Sequence, residues 1–329
     1  MPRRLVNLAL LVAVPVLVAT GLLAWVAPRP TADALLVVHR VAGVGVVLVL
    51  AWKYGIAKRS MRRRTHAGVD LSLAVGGLAS LGLLLVLGLG LAWSIGIVSF
   101  DHPLSYSLLN VHVFLGLVLV PLMVAHAARR WESRPALTDL RGRRSALRGL
   151  AAVAAAVVAT AALDRVGPPR RATGSRAAAA FSGNDFPLTI WAFDTVPGID
   201  VTTWRLQLDG EVAWPAAIAY RELLALPSTE RVAVLDCTGG WWTEQRWRGV
   251  SLADLLEGRG VRASARRVDV ISITGHAWSF PIAEAERLLI ATHVGDETLS
   301  PGHGYPARLI APDHRGFQWI KWVSRVRVA

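Results

Sequence analysis

Leu235-Asp236-Cys237-Thr238-Gly239-Gly240-Trp241-Trp242 holds the only cysteine among 329 residues. The stretch reads as a β-type run breaking into a glycine turn. One thiol cannot close an intramolecular disulfide, and a structural zinc site needs several such ligands. A single thiolate can serve as the one protein ligand to a metal that a cofactor already holds. Around this turn the sequence has the pattern of a compact domain, with short β-type runs near 187–193, 202–208, 232–236, 268–273, 306–311 and 319–328. Helical pieces are expected near 216–225, 251–257 and 282–289. The expectation for this half is an α+β fold with a β-rich core.

Upstream the character changes. Hydrophobic residues make up 53% of the chain, concentrated in apolar runs near 5–27, 34–56, 70–94 and 106–127. Each is long enough to span a hydrocarbon layer of roughly 30 Å as a helix. A fifth run, Ala146–Leu163, is shorter and alanine-rich. The reading is multidomain: an all-α transmembrane bundle of four helices over 1–130, then a basic loop and fifth tethering helix over 131–163. A linker over 164–185 and a compact domain over 186–329 follow.

Charge orients this arrangement. Lys58–Arg64 holds five Lys or Arg and Arg129–Arg148 holds seven, against one in Pro28–Asp33 and none in Ser94–Ser107. Positive charge stays on the cytoplasmic side, so the N-terminus and both basic loops are expected there. The fifth helix then carries residues 164–329 across a cell membrane to the extracytoplasmic side. From Asp164 onward there are 19 Lys or Arg against 18 Asp or Glu. The formal net charge of +13 thus belongs to membrane topology, and nucleic-acid binding is not expected. Arg143-Arg144 before the alanine-rich run also looks like an internal twin-arginine export signal, with two further topology-setting arginines as the alternative.

The helices carry His39, His112 and His126. Titratable groups inside a bilayer are costly and point to function. His112 and His126 lie 14 residues apart, about 21 Å along one helix face, a spacing suited to ligands at opposite membrane sides. His39 and His112 fall at matching depth, as the two axial ligands of one haem must. His126 has no matching histidine. The residue 14 after His39 is Lys53, and His66 lies in the following loop, so Lys53, His66 or no partner remain open. Gly43, Gly45, Gly76, Gly77 and Gly116 would let a flat macrocycle approach, and they serve close helix packing equally well. These positions resemble the bacterial four-helix di-haem cytochrome b family, which implies haem b, one or two per chain, and a membrane quinone or quinol partner.

Three further segments resemble the sulfite-oxidase-fold molybdopterin domains, which include sulfite oxidases and periplasmic protein-methionine-sulfoxide reductases. They are Val234–Leu256, Ile273–Glu284 with Gly275-His276-Ala277-Trp278, and His303–Val326 with His303-Gly304-Tyr305-Pro306-Ala307-Arg308, Arg315-Gly316-Phe317 and Lys321-Trp322. The resemblance implies molybdenum held by Cys237 and a pterin dithiolene, with Gly239 and Gly240 admitting the pterin. It also implies that Arg308, His314, Arg315 and Lys321 meet its phosphate, His276 and His303 touch the pterin, and Trp241 and Trp242 line the substrate funnel. The sequence runs to Ala329, directly after the Lys321–Val328 run, and the immunoglobulin-like domain of many sulfite oxidases is not expected; the turn after Cys237 also differs from theirs.

The function expected is a membrane molybdenum oxidoreductase performing oxygen-atom transfer, preferably a quinol-fed reductase of a small-molecule or protein sulfoxide. The alternatives are a dehydrogenase of sulfite or another small oxyanion, and a haem b electron carrier whose second domain binds no metal.

Overall fold

The structure is a computed structural model describing residues 3–65, 71–96, 107–129, 143–166, 169–190 and 195–329. His66 and most of the second basic loop lie outside these residues, as do 191–194, the end of the first expected strand. The chain forms two compact units. One comprises Met1–Trp25 with Pro30–Gly174, the other Val26–Arg29 with Ser175–Ala329.

The first unit is helical: α1 (Arg3–Val26), α2 (Thr31–Thr65), α3 (Leu71–Ile95), α4 (Leu108–Arg129) and α5 (Arg143–Leu163). Apolar sequence without a charged stripe makes each of them long and apolar enough to cross a membrane. The shortest such segment, Arg144–Leu163, has 20 residues, about 30 Å at the α-helical rise. α3 packs along α4, and α2 along α5. Leu81, Leu84, Val118, Val124 and Val158 are exposed on the helix surfaces. A protein resting in water does not leave so broad an aliphatic surface uncovered, whereas lipid covers it at no cost.

The second unit has two sheets. In the first, β5 (Trp241–Ser251) is central. It pairs antiparallel with β4 (Thr229–Asp236) and with β8 (Leu289–Val294), and parallel with β1 (Arg176–Ala177). β10 (Arg308–Ile310) and β9 (Glu297–Thr298) join β8. The second sheet runs β3 (Ala216–Ala219), β2 (Arg205–Gly210), β11 (Val323–Val328), β6 (Arg267–Ser272), β7 (Ala277–Pro281). Two short helices, α6 (Tyr220–Ala225) and α7 (Leu252–Leu256), follow β3 and β5. Trp247, Phe280, Leu206, Ile290 and Leu309 are fully buried in its core.

Several expectations shift. The piece 216–225 begins as strand β3, because Ala216–Ala219 pairs with β2 before the helix starts. Within 282–289 only Ile282–Glu284 is helical, as one 3-10 turn, and Leu289 already opens β8. Residues 187–190 hold no regular strand. The stretch 164–185 is divided: Ser175 donates to Asp236 at 2.6 Å and β1 joins the sheet, so its second half belongs to the second unit.

Candidate functional site

Cys237 closes β4 at the tip of the β4–β5 hairpin. The Cys237 N–H donates to the Trp241 carbonyl at 2.8 Å, and the Gly240 N–H donates back to the Cys237 carbonyl at 3.0 Å. Gly240 takes φ +91° to make that turn, a conformation that costs a side-chain-bearing residue energy. A Cβ on Gly239 would stand 3.1 Å from Thr189 Oγ1 and 3.5 Å from Cys237 Sγ. The two glycines thus hold the thiol against backbone, and the Gly239 N–H donates to Sγ at 3.3 Å.

Sγ opens into a cavity of about 140 Å³. Of the residues expected at the site, Cys237, Trp241, His276, His303, Arg308 and Lys321 line it. Among the described residues no carboxylate does, and the charged side chains lining it there are Arg308 and Lys321. Arg308 is buried between Trp247 and Trp319, its guanidinium 5.5 and 6.0 Å from their ring centres. Its Nη1 donates to the His303 carbonyl at 3.0 Å, while its buried Nε has no hydrogen-bond partner among the described residues. Burial draws this guanidinium down to about 10, opposed by negative charge at Cys237. Lys321 Nζ donates to the carbonyls of Thr189 and Gly302 at 2.9 and 2.8 Å.

Burial pushes the Cys237 thiol up. The Gly239 N–H, the Thr189 hydroxyl and the charges of Lys321 and Arg315 all work in the other direction. Such a thiol stays protonated by itself and ionises when a cation binds, since the positive surroundings then favour thiolate without the full desolvation penalty.

The remaining expected residues are placed differently. Arg315 is fully buried behind the thiol in an ion pair with Asp236 at 2.5 Å. A Cβ on Gly316 would come within 2.8 Å of the Cys237 Cα. This loop therefore braces the cysteine, and Arg315 does not line the cavity. His314 pairs with Glu284 at 2.8 Å and packs edge-on against Phe280, away from it. Trp242 does not line the cavity either. His303 uses both ring nitrogens within the protein, Nδ1 accepting from Ser300 Oγ at 2.8 Å and Nε2 donating to the Phe186 carbonyl at 3.1 Å. His276 Nε2 donates to the Phe317 carbonyl at 2.9 Å.

Two residues at the thiol were not anticipated. Thr189 accepts from Trp241 Nε1 at 2.9 Å and stands beside Sγ, and no motif marks it. Asp236 does carry a signal, since an acid inside a buried run needs a buried cation.

Residues 193–329 match the family described as oxidoreductase molybdopterin binding domain. They form a molybdopterin-binding oxidoreductase domain. An uncharacterized oxidoreductase of Bacillus subtilis, YuiH, is 30% identical over 131 residues, covering 39% of this chain and 66% of that protein. An NADH nitrate reductase of Brassica napus is 28% identical over 168 residues, covering 40% of this chain and 18% of that protein. The chain therefore spans just under two thirds of the first relative and under a fifth of the second. The sulfane dehydrogenase SoxCD of Paracoccus pantotrophus aligns with a TM-score of 0.39 at 26% identity, covering 40% of each chain. Among the described residues the domain offers what such a cofactor calls for: one soft thiol, a backbone cradle, the cations Arg308 and Lys321, and a buried guanidinium nitrogen without a hydrogen-bond partner.

A second constellation lies wholly within the helical unit. His39 Nδ1 donates to the Leu17 carbonyl at 2.9 Å, and His112 Nδ1 donates to the Val86 carbonyl at 2.8 Å. A carbonyl only accepts, so both rings carry their proton on Nδ1 and keep a lone pair on Nε2. Each ring rests on a glycine one turn beyond its carbonyl. A Cβ would meet the His39 ring at 3.2 Å from Gly21, and the His112 ring at 3.2 Å from Gly90. The two ring centres are 6.1 Å apart. Two imidazoles each about 2 Å from one shared metal through Nε2 have centres about 6 Å apart. Of the glycines expected at a macrocycle, only Gly76 touches a histidine, His126. Gly43 and Gly45 face Leu17 and Ala156, and nothing lies within 4 Å of Gly77 or Gly116.

Proposed function

We propose that the chain is a membrane-bound molybdenum oxidoreductase passing electrons between quinol, haem b and a Cys237-ligated molybdopterin centre, working as a sulfoxide-type reductase. The observation carrying this reading is the pairing of two ligand sets. One is a lone thiol in a cationic cavity, and the other is two histidines in one tautomer at axial-ligand separation. The molybdenum cofactor supplies two-electron oxygen-atom transfer; haem b supplies one-electron exchange.

The protein's own work is ligation, orientation and electrostatics. Cys237 furnishes the thiolate, and the Gly239 N–H and Thr189 hydroxyl support its charge. Arg308, held between two tryptophans, would offer Nε to an anionic group in the cavity. Trp241, fixed by Thr189, bounds the space next to the thiol and limits water there. Backbone carbonyls of α1 and α3 fix the imidazole tautomers. The basic loops orient the bundle with residues 164–329 extracytoplasmic, and Arg143-Arg144 at the head of α5 would serve export or topology there.

Metal analysis and an optical spectrum of detergent-purified protein test this. About one molybdenum per chain, lost in Cys237→Ser, and b-type haem lost in His112→Ala are expected. Haem without molybdenum would leave an electron carrier and refute the enzyme reading of this site. Reduced dye with a sulfoxide, run beside sulfite with an oxidised acceptor, fixes the direction.

A further inference from the structure

The helical bundle repeats its ligand arrangement four turns away. Gly90 lies under the His112 ring, and 14 residues along each helix Gly76 lies under the His126 ring, a Cβ there standing 3.2 Å from both Nδ1 and Cε1. The same edge of each imidazole faces its glycine, so the two rings are presented alike on α4. On the other helix pair, His39 meets α1 at Leu17 and Gly21. Fourteen residues from His39 and Gly21 stand Lys53 and Asn7, and Lys53 Nζ donates to Asn7 Oδ1 at 2.7 Å. α1 and α2 therefore keep one antiparallel register at both levels, as do α3 and α4. The short connection from Thr65 to Leu71 makes α2 and α3 antiparallel too, so α2 and α4 run in the same direction. Since His39 and His112 face each other, Lys53 and His126 stand at a shared level about 21 Å further along.

We infer that this second level is a haem site whose axial ligands are His126 and Lys53, with Asn7 positioning the amine. The inference rests on the haem reading above. The exchange is coordinated across two helices: where His39 is replaced by Lys53, the glycine that admits an imidazole ring is replaced by an asparagine that holds an amine. Asn7 does for Lys53 what the Leu17 carbonyl does for His39. The ligand is the neutral amine, its lone pair toward the iron and an N–H kept toward Asn7 Oδ1. The proton it sheds on binding leaves to water, and no electron is transferred.

The test is haem quantitation with low-temperature electron paramagnetic resonance on the full chain, made in a haem-competent host and purified in detergent. Two b haems per wild-type chain are expected, falling to one in Lys53→Met and in His126→Ala. Lys53→His should restore two, with the resonance of the second moved to a bis-imidazole position. One haem per wild-type chain, lost in His112→Ala and unaffected by Lys53→Met, would overturn this inference and leave the His39–His112 reading standing. A wild-type spectrum unchanged in Lys53→His would overturn it equally. Protein without any haem would overturn both.

Discussion

Acidification of the molybdopterin domain singles out His303. The residue is buried, only 6% exposed, with its ring centre 4.0 Å from that of Phe186 and the two rings tilted at 52°. In the neutral ring Nδ1 accepts from Ser300 and Nε2 donates to Phe186, so both nitrogens are already engaged. Burial first, then the charges of Arg308 and Lys321, hold the imidazole down at about 3 against an ordinary 6.5. A base depressed in the folded state binds its proton only after unfolding. The stabilising difference is therefore complete above 6.5 and is lost progressively as pH falls from there toward 3. At about 1.4 kcal/mol per pH unit, lowering pH from 7 to 4.5 removes about 3 kcal/mol, a large share of a typical domain stability of about 5–15 kcal/mol. Acid weakens proteins through other groups as well, so the comparison is with His303→Gln, which cannot titrate. Denaturant unfolding followed by tryptophan fluorescence should find the variant less stable at pH 7. That gap should close by about 3 kcal/mol at pH 4.5. Wild-type and variant curves that stay parallel between the two pH values would refute the assignment of a buried neutral imidazole.

Asp236→Asn strips the counter-charge from Arg315 inside the protein, and breaking a buried pair in this way should destabilise by about 3–5 kcal/mol, visible in thermal unfolding. Gly90→Ala places a methyl 3.2 Å from the His112 ring and should weaken or shift the haem absorbance. Gly88→Ala, with nothing within 4 Å, should leave the spectrum unchanged. Cys237→Ser should fold, because serine is smaller than cysteine, yet retain no molybdenum by metal analysis and lose oxidoreductase activity to background.

Four of the five helices were legible to within a few residues because lipid-facing and protein-facing positions are alike apolar, and length alone decides; α2 runs on to Thr65, through the basic segment expected as a loop. The Cys237 turn was legible for the opposite reason, since a solitary thiol before two glycines has few structural uses. β5 was not. Trp241–Ser251 alternates buried and more exposed residues along much of its length, but its outward positions carry Glu244, Arg246 and Arg248, which break an apolar count. β8 was missed because Leu289–Ala291 are all fully buried, and a short apolar run covered on both faces lacks the alternation of a half-exposed strand. Thr189 lies in irregular backbone, and its closeness to Sγ comes from a contact 48 residues apart in sequence that no local pattern encodes. His314 and Arg315 carried the charge expected of phosphate ligands, and only the structure shows them paired with Glu284 and with the buried Asp236.

The solitary thiol also makes the protein its own analytical reagent. An alkylating probe can react at one position only, and a metal-bound sulfur is withheld from it. After denaturation in the presence of excess probe, every chain scores as one label. Labelling under native conditions, slowed by burial, scores only the chains whose sulfur is uncommitted. If Cys237 ligates the metal as proposed, the ratio of the two counts, with native labelling run to completion, is the fraction of the preparation that lacks it, measured without a substrate.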